Sequence, residues 1–310
     1  SIVLEMVSDS PAGEILGETT KEYVFEACGE KLDMAQLQEI WEGKLEPVYP
    51  YRKAGPTVEK INGKLTAPAA PKIGVAKPKV IIPVFPGTNC EYDTAKAFAR
   101  AGADPEILVI RNLTPADVAE SCKALVKAID NSQIVMLPGG FSGGDEPDGS
   151  AKFIASFFRN PEVTEAVRRL LQQRDGLMLG ICNGFQALIK LGLVPYGDIR
   201  PITAYDPTLT FNPHGRHQSM LVRTRIASTG SPWLSKCEVG EQFTVAISHG
   251  EGRFVAPQEV LDTLMKNGQI ATQYVDIEGN PTMDQRYNPN GSVLAIEGIT
   301  SPDGRVFGKM

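Results

Sequence analysis

The chain has 310 residues, of which 42% are hydrophobic and 22% charged, a balance that suits a globular protein with one large domain or two smaller ones. A formal net charge of −6 argues against a nucleic-acid polyanion as the main partner. No run approaches the ~18 consecutive apolar residues of a membrane span, and no secretory leader is recognisable, so a cytoplasmic protein without membrane contact is expected.

Residues 1 to 52 read as a strand, a polar turn region and an amphipathic helix. That helix is expected to begin near Asp33, with Gln36 as capping-box partner, and to bury Met34, Leu37, Ile40 and Trp41. So short a segment cannot bury much alone and should pack on another domain. It opens Ser1-Ile-Val-Leu without an initiator Met, as a fragment of something longer would. Residues 53 to 78 carry Pro56, Pro68, Pro71 and Pro78 with little periodicity and read as a linker or a surface-hugging connection.

From residue 79 to 310 short apolar runs alternate with helical patterns. Val80 to Phe85, Glu106 to Ile110, Gln133 to Leu137, Gly176 to Ile181 and Phe243 to Ile247 read as strands. Helices are expected from about Tyr92 to Ala101, from near Pro115, in the region up to Arg174 and from Phe185 to Leu191. This rhythm predicts an α/β fold: an open, mostly parallel sheet with helices on both faces. Chemistry in such sheets gathers at the carboxyl ends of the strands.

Gly180-Ile-Cys182-Asn-Gly184 lies at one of those ends. Gly-x-Cys-x-Gly is a nucleophile elbow with cysteine in the place of serine, and its glycines are needed where neighbouring side chains would collide with strand or helix. A lone cysteine is usually a small hydrophobe; glycines on both sides argue otherwise here. The helix that follows favours the thiolate through its unpaired N–H groups.

A thiol nucleophile needs a base and a group to aim it. His249 follows the run Phe243 to Ile247, and Glu251, two residues on, would return to the same face of an extended strand. Cys182, His249 and Glu251 therefore form the expected triad. Gly139-Gly-Phe-Ser-Gly-Gly-Asp145 lacks the ending of a phosphate-binding P-loop and suits an oxyanion hole, with backbone N–H groups from Gly140 or Phe141 and from Asn183.

Cys90 is the competing thiol, without flanking glycines; Cys28, Cys122 and Cys237 read as structural. His214-Gly-Arg-His217 is open to a metal reading or to packing and substrate positioning, and two imidazoles without a third ligand favour the latter.

Together these motifs resemble the class I glutamine amidotransferases. Phe85-Pro-Gly-Thr-Asn-Cys-Glu-Tyr-Asp-Thr94, the Gly139 and Gly180 motifs, Leu209-Thr-Phe-Asn212, Gly215-Arg-His-Gln-Ser219 and His249-Gly-Glu-Gly-Arg253 resemble the glutaminase part of phosphoribosylformylglycinamidine synthases. The resemblance implies a flavodoxin-like fold, glutamine as substrate, hydrolysis through a cysteinyl thioester, and ammonia delivered to a synthetase for an ATP-dependent amidation in purine biosynthesis. It implies substrate contacts from Gln186, Arg216, His217 and Ser219, and no metal or cofactor in this piece, ATP and Mg belonging to the synthetase. Residues 1 to 52 and Glu146-Pro-Asp-Gly-Ser-Ala-Lys152 resemble the large single-chain form, in which the partner is a domain of the same polypeptide. Two rivals share the elbow: a cysteine hydrolase of the DJ-1/PfpI type, whose histidine usually follows much sooner, and a non-catalytic glutamine-sensing module.

Overall fold

The computed structural model describes residues 3, 5–6, 13–48, 53–64, 71, 74–141 and 151–310. The strand expected at the start of the chain and the loop Glu146–Ser150 fall mostly or wholly outside them. The chain divides into two compact units, Ser1–Tyr51 and Arg52–Met310.

The first unit holds a hairpin of β1 (Val24–Ala27) and β2 (Glu30–Asp33), followed by α1 (Met34–Gly43). Cys28 and Gly29 both take positive φ in its two-residue turn, matching the right-handed twist of the strands. Asp33 caps α1 as expected, its carboxylate accepting from the N–H groups of Ala35 and Gln36. The apolar face is not buried: Ile40 is 71% and Trp41 81% exposed, and Leu37 is exposed too. Two four-residue strands and one short helix offer nothing broad enough to cover it.

The second unit is built on nine strands. In chain order its elements are β3 (Lys79–Val84), α2 (Glu91–Arg100), β4 (Asp104–Val109), α3 (Pro115–Asp130), β5 (Ile134–Leu137), α4 (Lys152–Phe158), α5 (Pro161–Arg168), β6 (Leu177–Ile181), α6 (Asn183–Leu191) and a helical turn α7 (Leu193–Tyr196). Then come β7 (Thr208–Thr210), β8 (Gln218–Ile226), β9 (Gln242–His249), β10 (Arg253–Val255), α8 (Gln258–Asn267), β11 (Ile270–Val275), β12 (Ile296–Thr300) and β13 (Val306–Lys309). The sheet order is β4-β3-β5-β6-β13-β12-β11-β8-β9, and β7 pairs separately with β10.

Alternation along β3 displays the layers. Val80 and Ile82 pack with Phe98 of α2 on one face, while Ile81 joins the core formed with α3 to α6 on the other. The α/β sheet with helices on both faces is thus as expected. Its second half is a feature the sequence reading did not separate: β13 is parallel to β6, but the pairings from β13 through β12, β11, β8 and β9 are all antiparallel.

The run Phe243 to Ile247 is therefore an edge strand and not a core parallel one. Within β9 only alternate residues turn inward: Val245 is half-buried, Ile247 and His249 are buried. Four reversals between β13 and β9 restore the direction of β6, so Cys182 and His249 still emerge at the same edge of the sheet.

Residues 53–64 run extended against the second unit. Thr57 bridges Thr282, the Gly63 N–H donates to Ala227 O at 2.8 Å, and Ile61 is 6% exposed in the main core. Arg225, buried, donates to Ile61 O at 2.7 Å and Asn62 Oδ1 at 2.7 Å. Ile61→Ala is expected to destabilise the unit by about 2 to 4 kcal/mol, read as a lowered urea midpoint at unchanged slope. No change would mean that this stretch only skirts the fold.

Candidate active site

Cys182 joins β6 to α6 with φ 54° and ψ −108°, left-handed backbone that a cysteine adopts only where its surroundings enforce it. The enforcement comes from both sides. The Cys182 N–H donates to Lys309 O at 2.8 Å, tying the elbow to β13, and its carbonyl accepts from the Gln186 N–H at 3.0 Å. A Cβ at Gly180 would lie 2.6 Å from Gly184 O, and one at Gly184 would overlap the Leu137 carbonyl. These approaches are why the motif carries glycine at both places.

Cys182, His249 and Glu251 line one cavity of about 320 Å³, together with Gly140, Phe141, Gln186, Phe211, Arg216 and His217. Ser219 is exposed on β8 and does not line it.

The imidazole shares this cavity with the thiol, and its hydrogen bonds run elsewhere. His249 Nε2 faces the Asn290 amide at 3.5 Å, and His249 Nδ1 is buried without a hydrogen-bond partner. Neither nitrogen is bonded to the Glu251 carboxylate. The expectation that Glu251 returns to the face of His249 holds only for a continuing strand, and β9 ends at His249. Beyond it, Gly252 makes room for the ring, since a Cβ there would sit 2.7 Å from His249 Nδ1 and from Asn290 Nδ2.

Burial pushes the His249 imidazole down to about 4, with smaller contributions from His217 and Lys309. The ring is therefore neutral at pH 7. Below the ordinary histidine value of 6.5 the unfolded chain takes up this proton and the folded chain does not. Stability should therefore fall as pH drops from about 6.5 toward 4, by roughly 3 kcal/mol from this group. Urea unfolding at pH 7 and 4.5 checks this: wild type should lose more stability across the window than His249→Gln, and equal losses would contradict it.

Of the expected oxyanion donors, Phe141 is already engaged. Its N–H donates to Gly87 O at 2.8 Å, part of a short bridge between Thr88 and Gly140. Gly140 itself is held at φ 138°, and a Cβ there would meet Gly87 O at 2.6 Å. The N–H of Gly140 is not one of the bridge's donors, and Asn183, as the first residue of α6, has no acceptor within its helix.

Gln186 uses its amide internally. Its Oε1 accepts from Asn183 Nδ2 at 2.9 Å and its Nε2 donates to Glu251 O at 2.8 Å, so it latches α6 to the segment after β9. His214 accepts from the Arg216 N–H and meets Gln218, while His217 meets Ser248 Oγ at 2.8 Å and stacks near Phe141. The two imidazoles do not converge, and the described residues contain no group of three or more His, Cys, Asp or Glu placed to hold a metal.

Two residues stand out to which sequence reasoning gave no role. Asn212, buried, donates to Arg216 O and His249 O, fastening the 212–216 turn to the strand end. Asn290 donates to the buried Tyr274 hydroxyl at 3.0 Å behind His249. The two asparagines stand in turn-like sequence (Asn212-Pro-His-Gly and Asn288-Pro-Asn-Gly), which signals a loop but not its destination.

The half-parallel α/β sheet thus carries a strained cysteine elbow at the same edge as Gly139 and Gly140, the arrangement that the resemblance to class I glutamine amidotransferases implies. Residues 77–310 match the family model for the CobB/CobQ-like glutamine amidotransferase domain. Subunit PurQ of phosphoribosylformylglycinamidine synthase from Methanococcus maripaludis is 35% identical over 240 residues, covering 75% of this chain and 80% of that protein. The Aquifex aeolicus PurQ subunit is 35% identical over 234 residues, covering 75% and 88%. A solved structure of PurLQS from Thermotoga maritima aligns with a TM-score of 0.54 at 25% identity, over 76% of this chain and 86% of that one. The chain belongs to the CobB/CobQ-like glutamine amidotransferase family and is a glutamine amidotransferase. No helix among the described residues is long and apolar enough to cross a membrane.

Proposed function

We propose that this chain is the glutaminase part of a phosphoribosylformylglycinamidine synthase, with Cys182 as its nucleophile. The observation that carries the proposal is the elbow: a thiol in left-handed backbone, exposed into a cavity and held there by glycine contacts that tolerate no side chain. The Cys182 sulfur attacks the carboxamide carbon of glutamine. The oxygen that becomes negative is met by backbone N–H groups of Gly140 and Asn183. Collapse expels ammonia, which leaves with the proton that His249 took from the thiol, and a γ-glutamyl thioester remains, which water hydrolyses to glutamate.

The ammonia is consumed by a synthetase that amidates formylglycinamide ribonucleotide, and ATP and Mg act there. The relatives named as synthase subunits support this destination. Residues 1–51, a unit of their own, are read as the end of that synthetase in a single polypeptide.

His249 is read as the group that carries the thiol proton and Glu251 as the carboxylate that orients the ring, the three side chains lining one cavity; hydrogen bonds of this kind tighten in the substrate complex. Accordingly His249→Asn should lower glutamine turnover by at least ~100-fold in the natural polypeptide with the fold kept; turnover near wild type would remove His249 from the mechanism. The test of the function itself is stoichiometric labelling. A glutamine-analogue alkylator should modify Cys182 alone, with glutamine protecting it. Labelling that glutamine does not slow would end the proposal.

A further inference from the structure

Two cysteines share one gap. The point that a Cβ of Gly139 would occupy lies 3.3 Å from Cys90 Sγ, 3.9 Å from Cys90 Cβ and 3.6 Å from Cys182 Cβ. Both side chains therefore border the same point beside the Gly139 main chain, where the glycine itself places no side chain. Topology produces this arrangement. β3 and β6 flank β5 and all three run parallel, so the loop bearing Cys90 and the elbow bearing Cys182 end on either side of the loop after β5.

Cys90 is exposed, stands immediately before α2 at φ −113° and ψ 13°, and makes no capping bond to that helix. Among the described residues its thiol donates to the neighbouring Asn89 Oδ1 at 3.2 Å, a contact that costs little to exchange. Partial burial and the charges of Asp93 and Glu91 push the Cys90 thiol up. Cys90 is thus the slower of the two to meet an oxidant, if Cys182 is the reactive thiol proposed above.

We propose that Cys90 and Cys182 form an intramolecular disulfide when the protein meets hydrogen peroxide, a reversible modification site that switches the nucleophile off and shields it from further oxidation. The Cys182 thiolate attacks one peroxide oxygen, the O–O bond breaks, and a sulfenic acid and one water result. The Cys90 sulfur then attacks the sulfenic sulfur, the S–S bond forms, the S–O bond breaks, and a second water leaves. Two thiols lose two electrons and the peroxide gains them. A disulfide needs β-carbons about 3.5 to 4.5 Å apart, so the loop at Asn89–Cys90 must close the remaining gap over Gly139.

The experiment uses the natural polypeptide, treated with increasing hydrogen peroxide and mapped by mass spectrometry without reduction. A peptide pair joined through Cys90 and Cys182 is expected to appear as glutaminase activity disappears, and dithiothreitol should restore both. In Cys90→Ser, basal activity should be retained, but peroxide inactivation should become irreversible, with Cys182 found as sulfinic or sulfonic acid. Wild type that over-oxidises at Cys182 while Cys90 remains a free thiol would overturn the proposal. If the disulfide forms and reverses but neither state hydrolyses glutamine, the functional reading fails while the modification site stands.

Discussion

Cys182→Ala is expected to reduce glutamine hydrolysis by at least ~10³-fold while leaving the fold intact, because the reaction loses the atom on which its intermediate is built. Alanine fits the elbow, since the backbone there is enforced by Gly180, Gly184 and the hydrogen bond to Lys309 O rather than by the sulfur. Ammonia and glutamate release should be followed together in the natural polypeptide, with unfolding measured in parallel. If the variant hydrolyses glutamine within tenfold of wild type, Cys182 is not the nucleophile and the mechanism above falls with it. A lost fold would instead show in the unfolding curve, so the two failures can be told apart.

Gly184→Ala should be the most damaging small change in the elbow. The added methyl group would overlap the Leu137 carbonyl oxygen and lie 2.7 Å from its carbon and 2.8 Å from Leu137 Cβ. Nothing there is the free end of a flexible chain: β5 is a central strand, fixed by β3 on one side and β6 on the other. Overpacking of a rigid core costs roughly 1 to 3 kcal/mol and more when backbone must move, so about 3 kcal/mol or greater is expected, or failure to accumulate as folded protein. Gly250→Ala is the contrast, since its nearest neighbour would be 4.0 Å away. Comparable urea midpoints for the two variants would show that Gly184 is not needed for close approach.

The parallel half of the sheet was legible because its strands carry unbroken apolar runs bounded by helical periodicity. β3, β5 and β6 are buried on both faces, and their sequences show it. The antiparallel half was not, for the opposite reason. β8 alternates exposed and buried residues at its start, and β11 through β13 place Thr272, Gln273 and Glu297 in the core, where their polarity hides the strand signal. Those polar groups are tolerated because they bond one another or the backbone: Thr272 to Glu297, and Gln273 to Glu59 O and Leu294 O.

The site divided similarly. Cys182 could be read because an elbow leaves glycines at fixed offsets in the sequence. His249 and Glu251 shared a strand end and a cavity but not a hydrogen bond, because spacing by two specifies a common face only while the strand lasts. Between Gly140 and Phe141 the motif cannot choose, since nothing in Gly139-Gly-Phe141 announces that Gly87, more than fifty positions earlier, accepts the Phe141 N–H. Long-range partners of this sort are set by the order of strands, which the motif itself does not encode.

The strap formed by residues 53–64 bears on where this domain begins. Family likeness starts at residue 77, and a recombinant piece cut there would keep every strand of the large sheet. It would nonetheless uncover the socket of Ile61 and deprive the Arg225 guanidinium of two of its acceptors, Ile61 O and Asn62 Oδ1, on the flank that carries β9 and His249. The physical edge of the folding unit therefore lies upstream of the evolutionary one, and expression boundaries are better drawn before Lys53 than at the first residue of recognisable kinship.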